Sequence, residues 1–276
     1  MTGVQTCALP ISADARTVRP TVAVWKFASC DGCQLTVLDC EDELLAIAAA
    51  LDIRLFLEAG PAEMLEHFDI SLVEGSITTE HDAERIRDVR ARSGLLVTLG
   101  ACASAGGIQA LRNGADIDGY RAIVYARPDW IDTLATSTPI AAHVKVDHEL
   151  HGCPIAKSEL LATITALLAQ RRLPVTSHSV CVECKQIGNP CVMVAHGVPC
   201  LGPVTHGGCD ALCPSFDRGC FGCFGPSESA NLDGLRPALN ATGATDAAVV
   251  RMLRTFNADA SAFSEAAERY SGVTSP

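Results

Sequence analysis

The sequence predicts an α/β fold: a flavodoxin-like parallel sheet with helices on both faces over residues 21–173, followed by an irregular cysteine-rich iron–sulfur domain over 174–276. Three observations carry this. Short, continuous apolar runs alternate with helix-length stretches up to Leu173, the pattern of parallel strands covered on both faces. After Leu173 the periodicity fades and Cys, Gly and Pro take over. Cysteines beside glycines also recur just after the expected strands, at the carboxyl rim where such sheets bind ligands.

The elements follow in order. Residues 22–27 (VAVWKF) form a short β-branched strand, and 35–51 interleave acids and apolar residues as a helix does. Residues 53–57 and 70–73 are strands, 82–92 a charged surface helix, 95–99 (LLVTL) a buried strand and 102–112 a helix. Residues 122–125 and 143–146 are further strands, and 157–172 a long helix. The segment 174–228 holds eight cysteines with many Gly and Pro, and bound metal can supply the folding energy its side chains cannot. Residues 246–270 form an amphipathic helix broken or bent near Asn257.

Composition narrows the function. The 276 residues are 48% hydrophobic but only 5% aromatic, so the core is aliphatic. A net charge of -11 without a basic cluster excludes nucleic acid and anionic lipid as partners. The longest uncharged apolar stretch, 160–169, falls short of the ~20 residues of a membrane span. Neither a secretory signal nor a twin-arginine signal is present, the adjacent arginines being Arg171 and Arg172, which points to the cytoplasm. Residues 2–12 (TGVQTCALPIS) look like translated adapter read-through, so 1–20 are taken as a non-native or disordered leader and Cys7 is set aside.

Fourteen cysteines in a chain with a core and no export signal point to metal rather than to a disulfide framework. One set is dispersed: Cys30 and Cys33 (SCDGC), Cys102 (GACASAGG) and Cys153 (GCP), all at expected strand ends. Four thiolates gathered there would hold a [4Fe–4S] cluster, with Gly32, Gly100, Gly106 and Gly107 letting backbone pass close to it. The compact set is Cys181, Cys184, Cys191 and Cys200, then Cys209, Cys213, Cys220 and Cys223, each four containing one C-x2-C pair. Eight thiols suit two cubanes, but two such pairs also suit tetrahedral zinc, so the C-terminal segment alone leaves zinc open. The dispersed set argues against zinc. Cys40 is left over and reads as a buried helix thiol.

Together CDGCQLTVL at 30–38, VEGSI at 73–77, GACASAGG at 100–107 and GCP at 152–154 resemble the small subunit of nickel–iron hydrogenases. Residues 199–226 (PCLGPVTHGGCDALCPSFDRGCFGCFGP) are similar to the cytoplasmic, bidirectional hydrogenases of the third group, nearest the NADP-linked or sulfhydrogenase delta type. The resemblance implies three [4Fe–4S] clusters: a proximal one on Cys30, Cys33, Cys102 and Cys153, a medial one on Cys209, Cys213, Cys220 and Cys223, and a distal one on Cys181, Cys184, Cys191 and Cys200. Where periplasmic relatives use a distal histidine and a three-iron medial cluster, Cys181 and Cys213 stand here. His178 and His206 are then surface or turn residues.

The resemblance also implies a nickel–iron large subunit as partner, with flavin/NAD(P)-binding and ferredoxin-like subunits beyond it. No Gly-x-Gly-x-x-Gly turn follows a strand, so this chain does not bind the nucleotide. Glu74, after the 70–73 strand, is either a functional rim carboxylate, assisting proton exit or holding an amide near the cluster, or a capping or loop acid. Two rivals remain: the 20 kDa iron–sulfur subunit of respiratory complex I, which pairs two adjacent cysteines, and a zinc-stabilised binding module.

Overall fold

The computed structural model describes residues 19–60 and 62–272; Cys7 and most of the leader lie outside them. The chain runs β1 (Thr21–Lys26), α1 (Gly32–Leu38), α2 (Glu41–Ala50), β2 (Asp52–Phe56), β3 (Phe68–Glu74), α3 (Glu80–Ala91), β4 (Ser93–Leu99), α4 (Gly100–Ala105), α5 (Ile117–Val124), β5 (His148–Leu150) and α6 (Lys157–Leu168). The strands pair in parallel in the order β2-β1-β3-β4-β5, the flavodoxin-like winding.

Alternation along β1 explains why the runs are apolar throughout. Val22 and Val24 face a core with Val37, Ile70, Leu72, Leu99, Leu160 and Ile164. Ala23 and Trp25 face the other, with Phe68, Val73, Ile86, Leu96 and Ile140. Both faces are covered, so both are mainly apolar, and a polar side chain such as Ser71 is buried with a hydrogen-bond partner. Inside the second core the Trp25 indole N–H donates to Ser71 Oγ at 3.0 Å, and the Trp25 and Phe68 rings meet edge to face at 5.7 Å.

Several sequence expectations are corrected. Residues 122–125 are not a strand: 122–124 belong to α5 and Tyr125 ends it, while Asp116 caps its start by accepting the Gly119 N–H at 3.0 Å. No residue of α5 is buried, and Ile123 is 83% exposed. Residues 143–146 are not a strand either: β5 begins at His148, after Asp147 has accepted the Leu96 N–H at 2.9 Å and paired with Arg90 at 2.6 Å. The helix expected over 102–112 splits at Gly106 and Gly107, both in the left-handed region, into α4 and a 3-10 turn, Ile108–Arg112. The helix expected over 35–51 is α1 and α2, joined at Asp39 and the buried Cys40.

Beyond α6 the chain is less irregular than its composition suggests. It forms α7 (Val180–Ile187), α8 (Val192–His196), α9 (Leu232–Ala241), α10 (Asp246–Leu253) and α11 (Ser261–Ser271). α9, which contains Pro237, was not among the elements expected from the sequence. α9 to α11 pack on Leu201 and Val204 of the cysteine-rich segment through Leu239, Leu253 and Phe263. The break near Asn257 falls between α10 and α11. Among the described residues no helix is long and apolar enough to cross a membrane.

Candidate metal centres

The carboxyl rim of the sheet assembles the dispersed cysteines. Cys30 and Cys33 follow β1, Cys102 lies in the first turn of α4 after β4, and Cys153 follows β5. Burial pushes the Cys102 and Cys153 thiols up to about 11 and Cys33 higher still. Their charges also oppose one another: Cys102 and Cys153 act on Cys33, Cys30 on Cys102, and both Cys102 and Cys30 on Cys153. Such thiolates need a compensating positive charge, which coordinated iron supplies.

Backbone lies hard against these sulfurs. A Cβ at Gly100 would stand 2.4 Å from Cys33 Sγ, one at Gly107 2.5 Å from Cys102 Sγ, and one at Gly32 3.4 Å from Cys30 Sγ. Gly106 departs from expectation: its α-hydrogen faces the Ser137 carbonyl, not a thiol. Glu74 is the last residue of β3, 1% exposed, and accepts the Cys33 N–H at 3.1 Å and the Gln34 amide at 2.7 Å. It therefore holds an amide of the cysteine loop rather than facing a partner. Burial pushes its carboxyl up.

The eight later cysteines lie together, and the two expected groups touch at Cys200, on which Cys213 and the Cys220 amide both act. Burial pushes Cys181 up to about 11 and also raises Cys184 and Cys200; the charges of Cys184, Cys191 and Cys200 add to the rise at Cys181. Burial likewise pushes Cys209 and Cys223 up to about 11 and Cys220 higher, with Cys223 acting on Cys209 and Cys220, and Cys213 on Cys223. A cavity of about 200 Å³ is lined by Cys209, Cys213, Cys220 and Cys223 together with Cys153 and Phe224.

The three quartets adjoin end to end. The Cys153 amide faces the Cys223 thiol and favours its ionised form. The Cys220 N–H donates to Cys200 Sγ at 3.1 Å. Gly202 fits between, where a Cβ would sit 3.3 Å from Cys200 Sγ and 3.5 Å from Cys181 Sγ. Cys30 and Cys191, in the two outer quartets, are exposed, whereas no cysteine of the middle quartet is.

The donor set fits clusters. All thirteen described cysteines are free thiols, and amides of Gly202 and Gly222 donate to Cys200 and Cys220 at 3.4 Å, the kind of N–H···S contact that tunes a cluster. Among the described residues no three His, Cys, Asp or Glu side chains stand close enough to hold one metal ion.

Other residues gave little or no sequence signal. His206, expected as a surface or turn residue, is only 9% exposed and so not at the surface, its ring 4.5 Å from that of His151. His178 is half-buried and lies 3.3 Å from Glu183. These histidines and Glu159 line a cavity of about 770 Å³ between β5, α6 and the cysteine-rich segment. It has no sequence signature, because its walls lie far apart in the chain.

Known proteins resemble this chain in sequence and fold. The family description of the NADH ubiquinone oxidoreductase 20 Kd subunit matches residues 30–167. Sulfhydrogenase 2 subunit delta of Pyrococcus furiosus is 35% identical, over 85% of this chain and 98% of that protein. A subunit of the vhu F420-non-reducing hydrogenase of Methanocaldococcus jannaschii is 31% identical, over 78% of this chain and 84% of that one. An NAD+-reducing [NiFe]-hydrogenase solved in its H2-reduced state superposes with a TM-score of 0.53 and 26% identity, over 57% of this chain and 95% of that chain. The actinobacterial-type NiFe-hydrogenase from Ralstonia eutropha H16 shares the fold, with a TM-score of 0.56 at 16% identity over 81% of this chain and 86% of that one. By the rim cysteines, the winding of the sheet and these relatives alike, the chain belongs to the NADH ubiquinone oxidoreductase 20 kDa subunit family, among its hydrogenase small subunits, and is one subunit of an oxidoreductase.

Proposed function

We propose that this chain relays electrons between the nickel–iron site of a large subunit and a flavin/NAD(P)-binding partner in a bidirectional cytoplasmic hydrogenase. Cys30, Cys33, Cys102 and Cys153 hold the proximal [4Fe–4S] cluster, Cys209, Cys213, Cys220 and Cys223 the medial, and Cys181, Cys184, Cys191 and Cys200 the distal. In this reading the sheet unit, 21–173, carries the first and the C-terminal unit, 174–276, the other two. The observation that carries the proposal is the order of contact, Cys153 on Cys223 and Cys220 on Cys200, with exposed ligands only at the two ends.

Bound clusters would each store and pass one electron. The residues of the chain do the rest. They fix the spacing, keep the middle quartet from solvent and aim amides at Cys200 and Cys220. Glu74 holds the Cys33 amide so that the first loop keeps its shape. The large subunit abuts exposed Cys30, and the acceptor subunits, including a ferredoxin-like one, abut exposed Cys191. A nicotinamide acceptor agrees with the relative from Cupriavidus necator, an NAD-reducing hydrogenase delta subunit that is 28% identical over 52% of this chain and 77% of its own.

Anaerobic purification with metal and sulfide analysis tests the proposal. About twelve iron and twelve sulfide per chain are expected. Colourless protein with two zinc and no iron would overturn it.

A further inference from the structure

Glu183 lies on α7 between two ligands of the distal quartet, Cys181 and Cys184, yet its carboxylate serves the medial one. Oε1 accepts the Gly208 N–H at 2.5 Å and Oε2 accepts the Ala211 N–H at 3.0 Å. These two amides flank Cys209, whose Sγ is 3.8 Å from Oε2. The side chain is only 7% exposed. His178 Nε2 completes its contacts at 3.3 Å.

The facing loop is shaped for this grip. A Cβ at Gly207 would stand 2.9 Å from Glu183 Oε1 and 2.8 Å from the His178 ring. One at Gly208, where φ is +121, would stand 2.3 Å from Glu159 Oε1. Two adjacent glycines are therefore what lets the main chain approach three side chains at once. Glu159 adds a second acid on this side, and His206 packs behind it.

We propose that Glu183 is a positioning residue that couples the two C-terminal quartets: it fixes Cys209 from the helix bearing Cys181 and Cys184, and its buried charge lowers the reduction potential at the medial quartet. The inference rests on the cluster assignment above. A negative charge beside a thiolate ligand, away from water, opposes the arrival of an electron, so charge and amide contacts are among the terms that set such potentials. Geometry supplies the first half of the role, the two amides on either side of Cys209. The distance from Oε2 to Cys209 Sγ supplies the second.

The test is a redox titration, followed by electron paramagnetic resonance, of the anaerobically purified complex carrying Glu183→Gln. The glutamine keeps the volume and one acceptor but removes the charge. The expected result is native iron and sulfide content with one cluster easier to reduce by at least tenfold, about 59 mV for a one-electron couple, while the other two are unmoved. Unchanged midpoints, or all three moving equally, would overturn the inference. Glu183→Asp keeps the charge on a shorter arm and should hold the native midpoint more closely than Glu183→Gln. If neither variant loads iron at any quartet, Glu183 acts in folding as a whole and the inference fails. Wild-type protein without iron would instead sink the cluster assignment, so the two failures are distinct.

Discussion

The backbone N–H of Cys220 donates to Cys200 Sγ across 3.1 Å, so a ligand of one proposed cluster is hydrogen-bonded to a ligand of the next. Cys191, on the distal quartet's exposed side, makes no such link to the medial loop. Cys200→Ala should therefore disturb two paramagnetic signals, the distal by loss of a ligand and the medial by loss of the bond. Cys191→Ala should disturb the distal signal alone, with loss of up to about four of twelve iron in either case. If both variants leave the medial signal native, the bond does not link the two centres.

Gly100 bears on the first quartet in a different way. Its φ is +78, and a Cβ there would stand 2.4 Å from Cys33 Sγ and 3.0 Å from the Gly152 carbonyl. Gly100→Ala should cost about 1–2 kcal/mol for the left-handed backbone alone, with the sulfur contact added. The expected outcome is a melting temperature lower by at least about 3 °C and loss of proximal-cluster signals before the others. A variant that melts normally with full iron would show that the loop can step aside.

Much of this was legible in the sequence because the signals are local. Apolar runs placed β1 to β4, and glycine-flanked cysteines marked the rim. Of the errors, one turns on a long-range contact and one on a local cap that the apolar run masked. Nothing near residues 143–146 shows that Asp147 is claimed by Leu96 and Arg90, which delays β5 to His148. The run at 122–125 is apolar enough for a strand, but the Asp116 cap commits it to an exposed helix. Glu183 went unremarked because its partners, Gly208 and Ala211, are 25 and 28 residues away.

Asp147 also has a pH signature. Burial alone would raise its carboxyl, but the Leu96 amide, Arg90 and Lys145 outweigh that and hold it below its ordinary value of 3.8. As pH falls the unfolded chain thus takes up the proton first, and the native state loses relative stability. The contribution is complete above 3.8 and is lost as pH falls through the lower, folded value. Asp147→Asn, which keeps an acceptor for Leu96 but not the ion pair, should be less stable at pH 7 by about 1–3 kcal/mol. The two proteins should converge below about pH 3. Paired denaturation curves check this, since the difference cancels what acid does to both alike; a gap that persists at low pH would assign the loss to packing.

Asn257 offers the clearest case of the C-terminal helices acting on a metal loop. It is 2% exposed, sits between α10 and α11, and donates from Nδ2 to the Gly222 carbonyl at 2.8 Å, inside the Cys220–Cys223 turn. The Phe263 ring covers the same glycine, 3.4 Å from where its Cβ would be. Gly222 is buried and its carbonyl also accepts the Gly225 N–H at 3.0 Å, so Asn257→Ala leaves it one donor in place of two, at a cost of about 0.5–1.5 kcal/mol. Most of that should appear as easier local opening of the turn, since neither core of the sheet includes a residue of it. Iron release to a chelator should then quicken by roughly 2- to 12-fold for about one third of the iron, with the remainder released at the native rate. Asn240→Ala, which removes only an exposed contact to Asp246 at 3.2 Å, should leave all three rates alone. Uniformly faster release from Asn257→Ala would mean general unfolding. Unaltered release would mean that the cysteine turn holds its shape without the helices above it.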